Sequence, residues 1–458
     1  MNENMKINFP VTTQAADWVA NLDANDIPAR AYDFAKHAIL DCIGCTIAGQ
    51  GEPVMEIMRE EFASDSCGGA NTLIACGTST SLHNAALING TAAHALDYDD
   101  VHFRLHGHPT TCIAPATLAL GEFLGASGRD VLTAFIIGTE VGCALGEMCD
   151  DGHYETGFHA TGTMGTFGAA AACSRLMGLN GPEVAQALGI AASQAAGLKA
   201  NFGTMTKPYH AGKAAMNGLM AARLAARGFT ASDAAIEGPE GFAQAQVPGF
   251  KAGPIRRDDT SAYAVEEMLY KYHASCYLTH STLNAIHALR NEHEFSADDV
   301  EVATLKVRST HSSVCCIPRP ATGLEIKFSI QHLAAMALAG VDTSSLGTYC
   351  TANANNQRYS QARDRVVLDL SENMPRTAAV VTLRLQDGRT LVCEADVGKP
   401  EQDADMQWNR LTAKFDALVK PVLETQKTAH LVALIETLDN VNDIGVLMKA
   451  ARNQNFEN

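Results

Sequence analysis

The sequence predicts a mainly α-helical protein carrying an α+β part, and three observations lead there. Residues 14 to about 265 form a long run of helix punctuation and alanine- and glycine-rich stretches. From about residue 268 the texture changes to alternation at period two, as in V-E-V-A-T-L-K-V-R-S from Val300. After Lys399 helical patterning returns, in W-N-R-L-T-A-K-F-D-A-L-V-K-P-V-L and H-L-V-A-L-I-E-T-L. The expected organisation is a discontinuous helical domain, 1–267 and 400–458, with an α+β domain inserted at 268–399. A chain of 458 residues is long enough for two or three domains.

Taken in order, Pro28 opens a helix as a first-turn residue and Gly49 follows its end. Within it Phe34, Ala38, Cys42 and Cys45 fall on one apolar stripe, so the C-x-x-C reads as core packing rather than as a redox or zinc motif. Helices are expected near 84–96, 113–126, 130–147, 163–178, 183–197 and 211–227, with small residues that let their backbones approach closely. The spaced Gly162, Gly165 and Gly168 follow no strand and are not a dinucleotide fingerprint; close helix packing is favoured over anion binding. In the α+β part, D-R-V-V-L-D-L is a second strand and T-A-A-V-V-T-L-R-L-Q-D-G-R-T-L-V-C-E-A a hairpin turning at Asp387-Gly388, with helices near 278–292 and 328–340.

Composition narrows the partners. Lys and Arg number 34 against 51 Asp and Glu, a formal charge of −17, which argues against nucleic acid and anionic membrane. No stretch reads as about 18 strongly apolar residues and no apolar leader is visible, so no membrane span and a cytoplasmic location are expected. Thirteen scattered cysteines, an odd number, suit reduced thiols.

Chemistry concentrates at H-A-L-D-Y-D-D-V-H-F-R-L-H-G-H-P, residues 94–109, where Asp97, Asp99 and Asp100 stand beside His102, His106 and His108. In a chain only 19% charged, such a group marks a pocket rim. Three carboxylates with three imidazoles can move protons, hold a divalent metal or cap a helix. His153 and His159 precede a glycine-spaced helix start. Lys207, His210 and Lys213 surround Pro208, which keeps Lys207 at a helix end where its ammonium can enter a cleft. Lys207→Met is therefore expected to lower activity and leave folding little changed. Lys271, His273, Cys276 and His280 stand at the entrance to the α+β domain, where a domain cleft would lie.

Together, H-A-L-D-Y-D-D followed by H-P, G-F-H-A-T-G-T-M-G-T-F-G-A-A, T-K-P-Y-H-A-G-K-A-A and P-A-T-G-L-E-I-K-F-S-I make the chain resemble the MmgE/PrpD family of 2-methylcitrate dehydratase, cis-aconitate decarboxylase and iminodisuccinate epimerase. The resemblance implies a large helical domain with a smaller α/β lid domain, a homodimer, and no required metal or organic cofactor. It carries the pocket over to Asp97, His108, His159 and Lys207, with Lys271 a further match. The sequence departs from the decarboxylase pattern at Cys276, aligned with a pocket histidine, and at Val314, aligned with a lid tyrosine.

The resulting expectation is a cofactor-independent lyase or isomerase of a small di- or tricarboxylate. Asp97, His108, His159 and Lys207 would be catalytic, and His106, His210, Lys271, Cys276 and His280 would bind substrate. The alternatives are a metal-dependent hydrolase using Asp97, Asp99, Asp100, His106 and His108, and a non-catalytic binder of acidic metabolites.

Overall fold

The computed structural model describes residues 9–64, 69–256 and 261–453. The chain divides into two compact units, one running to Met268 and resuming at Glu401, the other spanning Leu269–Pro400.

The first unit is built of helices α1 (Val11–Asn21), α2 (Ala29–Gly49), α3 (Pro53–Glu61), α4 (Leu82–Ala95), α5 (Thr110–Leu124), α6 (Gly128–Glu155), α7 (Ala160–Leu176), α8 (Gly181–Ala192), α9 (Thr206–Ala225) and α10 (Phe242–Gln246). A two-residue ladder, β1 (Asn71–Thr72) with β2 (Ser79–Thr80), lies between α3 and α4. Pro28 is the N-cap of α2, and Gly49 is its last residue rather than the one after its end. The reason is contact: a Cβ on Gly49 would stand 2.1 Å from the Ala92 carbonyl oxygen of α4. Gly212 does the same between α9 and α4, where a Cβ would stand 2.1 Å from Leu87 O. Gly165, one of the spaced glycines, faces Cys112 Sγ, so this row serves close helix packing.

One expectation needs correction. α6 is broken at Asp150, whose φ of 49° and ψ of −158° are not helical, and it holds an 18-residue window of mean hydropathy 1.5, long and apolar enough to cross a membrane by length and composition. That window is 94% buried within the protein, as in a core helix: Phe135, Ile137, Val141 and Leu145 are enclosed. The cysteines of the described residues are free thiols, and Cys42 and Cys45 are core residues of α2.

In the second unit, α11 (His280–Glu292), α12 (His311–Val314), α13 (Gly323–Ile326), α14 (Ile330–Leu338), α15 (Thr351–Ala354) and α16 (Gln357–Arg363) accompany strands β3 (Val300–Arg308), β4 (Val366–Ser371), β5 (Ala378–Leu385) and β6 (Thr390–Asp396). The sheet order is β4-β3-β5-β6, with β3 and β4 parallel and the other pairs antiparallel. Gly388 takes a φ of 88° in the turn between β5 and β6, a conformation only glycine adopts without strain. Inward residues of the strands, such as Leu305, Val307, Val381 and Leu383, share one core with Leu283 and Ile286 of α11 and Leu333 of α14.

After Glu401 the chain adds α17 (Ala404–Val419), α18 (Thr425–Glu436) and α19 (Gly445–Ala450) to the first unit. Phe415 of α17 lies against Gly44 of α2, where a Cβ would be 2.9 Å from its ring.

Candidate active site

α4 ends at Ala95, and the chain turns sharply because Asp97 takes a left-handed φ of 51°. Aspartate tolerates this region better than most residues, at a cost that surrounding contacts must hold in place. The next turn is closed by two backbone bonds, His102 N to Gly107 O at 2.8 Å and Gly107 N to His102 O at 3.3 Å. It is anchored by Arg104, whose guanidinium pairs with Glu140 and Glu147 of α6. His108 N donates to Thr161 Oγ1 of α7 at 3.2 Å. This loop returns His108 to the end of α4, beside His94.

Asp99 is the hub. Its carboxylate, 1% exposed, lies 2.9 Å from His94 Nδ1 and 2.8 Å from His108 Nδ1. His108 Nδ1 is also 2.7 Å from the Asp100 carbonyl. All these oxygens are acceptors once Asp99 is ionised, so both rings carry a proton on Nδ1 and keep Nε2 for other partners. Burial alone would raise the Asp99 carboxyl, but the two imidazoles outweigh it and hold it well below the usual range. Asp100 goes the other way: burial, with the Asp41 charge, raises it well above the usual range, and Thr110 Oγ1 donates to its Oδ2. Adjacent carboxyls thus differ in charge because of what surrounds each.

Lys207 enters from the first turn of α9, as Pro208 requires, and is 5% exposed. Its Nζ donates to Asp97 Oδ1 at 2.6 Å and to His94 Nε2 at 3.0 Å. Burial takes His94 down to about 3, with the ammonium adding to the effect and Asp99 opposing it, so its ring is neutral at pH 7. His159, the N-cap residue of α7, is lowered well below its ordinary value by burial and then by Lys207. Its Nδ1 is 3.0 Å from His210 Nδ1, one donating to the other, and burial brings His210 to about 4. The rings run His108, His94, His159, His210, with successive centroids 4.5, 5.9 and 5.3 Å apart. Phe202 closes this row edge-on to His159 at 5.0 Å.

Of the expected residues, the first unit therefore gathers Asp97, His108, His159, Lys207 and His210. His106 is turned elsewhere, its Nδ1 3.5 Å from Asp151 and its ring near Tyr154. Lys271, Cys276 and His280 belong to the second unit, where all three are buried. There the Cys276 amide donates to Lys327 O, and His280 lies against His273 and Tyr277. Sequence reasoning singled out neither His94 nor Phe202. His94 had a signal, since it opens the H-A-L-D-Y-D-D motif; Phe202 had none.

His94, Asp97, Asp99 and His108 each offer one ligand atom within 4.8 Å of the others, a set able to hold a cation. Two of those side chains already face the Lys207 ammonium. Asp100 and His106, expected in the hydrolase reading, are not in the set. What the arrangement offers is one buried cation, one ionised carboxylate orienting two imidazoles, and His108, which at 9% exposure is the least enclosed of the four rings.

Comparison with known proteins supports both units. A family model described as the MmgE/PrpD N-terminal domain matches residues 13–254, and one described as the MmgE/PrpD C-terminal domain matches residues 273–440. The chain is similar to a cis-aconitate decarboxylase of Aspergillus terreus, 27% identical over 471 residues, covering 96% of this chain and 95% of the relative. It is also similar to the human cis-aconitate decarboxylase, 25% identical over 456 residues, covering 95% and 93% respectively.

Proposed function

We propose that this chain, which belongs to the MmgE/PrpD family, is a cofactor-independent lyase that removes carbon dioxide from a cis-aconitate-like tricarboxylate. The observation that carries the reading is the buried Lys207 ammonium, held between His94 Nε2 and Asp97 Oδ1, with His108 Nε2 3.9 Å from the same aspartate oxygen. In a protein of charge −17 a polyanion needs such a local cation.

The residues divide the work as follows. A substrate carboxylate approaches Lys207, whose charge stabilises the electron-rich carbon skeleton formed as the proton moves and the carboxyl group leaves. As the bond to the departing carbon dioxide breaks and its electron pair passes to the carbon skeleton, His108 Nε2 relays a proton taken up from water to the carbon next to a remaining carboxylate, and Asp99 keeps that ring oriented. His159 and His210, both neutral, offer hydrogen bonds to the remaining carboxylates. A positioned acid or base contributes about 10²- to 10⁴-fold, and the rest comes from orientation and charge stabilisation. The four relatives with near-full coverage are named cis-aconitate decarboxylases, which favours loss of carbon dioxide over loss of water or inversion of a centre.

The test is incubation of exhaustively chelated protein in deuterated water with citrate-like, aconitate-like and iminodisuccinate-like acids, followed by NMR. Deuterium incorporation with carbon dioxide release from the aconitate-like acid alone is expected. Turnover of another acid would change the substrate class, and activity restored only by a divalent ion would transfer the reading to metal-dependent chemistry.

A further inference from the structure

A second buried ion pair lies beneath the loop that carries Asp97 and Asp99. Lys414 of α17 has a side chain only 4% exposed, and its Nζ is 2.6 Å from Asp41 Oδ1 of α2, itself 1% exposed. The same Nζ donates to the Tyr98 carbonyl at 2.6 Å and sits 4.2 Å from the centre of the Tyr98 ring. Asp41 outweighs the effect of burial and keeps the lysine charged.

Two charges buried this deeply are a poor way to join two helices, because desolvation consumes most of their attraction and apolar side chains would serve as well. What an apolar replacement cannot supply is a directed donor to one carbonyl. That carbonyl belongs to the residue between Asp97 and Asp99. It follows the left-handed turn at Asp97, a conformation that persists only where neighbouring contacts hold it.

We propose that Lys414 is a positioning residue of the site. Asp41 fixes the ammonium, the ammonium fixes the Tyr98 carbonyl, and the two carboxylates flanking Tyr98 are thereby aimed at Lys207 on one side and at the His94–His108 pair on the other. The effect on turnover rests on the lyase reading above; the geometric effect does not.

The test compares two double variants, Asp41→Asn/Lys414→Met and Asp41→Asn/Lys414→Gln. Neither strands a buried charge, and they differ chiefly in that glutamine keeps an N–H for the Tyr98 carbonyl. Melting temperature, kcat and KM on the accepted acid, and the proton NMR signals of the His94 and His108 Nδ1–H groups are measured for each. The methionine variant is expected to lose about 10-fold or more in kcat with little change in KM, and to shift both imidazole signals. The glutamine variant should recover most of both. Equal kcat and equal imidazole signals in the two variants, or loss of the fold in both, would overturn the proposal and leave the pair a structural one. If the wild-type protein turns over no acid, the lyase reading fails, while the imidazole signals still decide the role of Lys414.

Discussion

Replacing Lys207 by methionine removes an ammonium that sits 2.6 Å from Asp97 Oδ1 and 3.0 Å from His94 Nε2. The sequence alone leads one to expect a nearly unaffected fold. The structure predicts otherwise, because Lys207 and Asp97 are only 5% and 3% exposed and methionine would deprive a buried carboxylate of its nearest cation. Breaking a buried pair from one side costs about 3–5 kcal/mol, a large share of the roughly 5–15 kcal/mol by which domains are stable. Catalysis should fall as well, by at least about 10² in kcat/KM, or about 2.7 kcal/mol, if the ammonium stabilises charge as the reaction proceeds. The two effects separate in Asp97→Asn/Lys207→Met. With both charges gone, most of the stability should return and none of the activity. Thermal unfolding and initial rates, the latter well below each variant's melting point, give both quantities. A double variant with near-normal turnover would refute the reasoning, and so would Lys207→Met with unchanged kcat/KM. The site would then be sought around Lys213 and Lys271.

Asp99→Asn tests the hub: an amide has one oxygen to accept from an imidazole and an NH2 that cannot, so one of the two rings loses its partner. A fall of about 10²-fold in kcat is expected, in line with the cost of losing a group that orients a functional histidine, and unchanged kcat would remove Asp99 from the mechanism. Acid should unfold the protein through its buried histidines. Burial, aided by Arg104, lowers His102 to about 3, so between its ordinary value of 6.5 and that point the unfolded chain holds a proton the native one lacks. Its contribution is complete above pH 6.5 and declines as pH falls, by about 2 kcal/mol at pH 5. His102→Gln should therefore flatten the slope of stability against pH between 6.5 and 5 by about one proton, and an identical slope would count against the assignment.

Fold class was legible because its signals are local. The Asp387-Gly388 turn needs only its own two residues and the alternation beside it, and β5 and β6 pair around it. Helices α4 to α9 announce themselves through runs of small residues, whose purpose is visible where Gly212 and Gly49 meet the backbone of α4. Much of the site is non-local, and there the sequence is silent. Nothing in T-K-P-Y-H states that Lys207 meets an aspartate 110 positions earlier. His94 and Asp99 are five apart, which is no helix neighbour spacing; they meet because Asp97 reverses the chain between them. His106 misled for the same reason, since its left-handed φ of 58° turns it away from its neighbours in the motif. The helix expected near 130–147 corresponds to the regular part of α6, which breaks at Asp150, where φ is 49° and ψ −158°.

The Asp41–Lys414 pair also sets an order of events during synthesis. Asp41 emerges early, on a helix whose buried residues are mostly apolar, and the lysine that balances it lies roughly 370 residues further along. At about 5–20 residues per second a ribosome needs roughly 20–75 s to bridge that distance. Until then α2 cannot bury that carboxylate in its final surroundings, and the Tyr98 carbonyl lacks its donor. The helical unit therefore completes its centre only after the entire second unit has been made, so the nascent chain carries an unfinished site while the second unit is free to fold first.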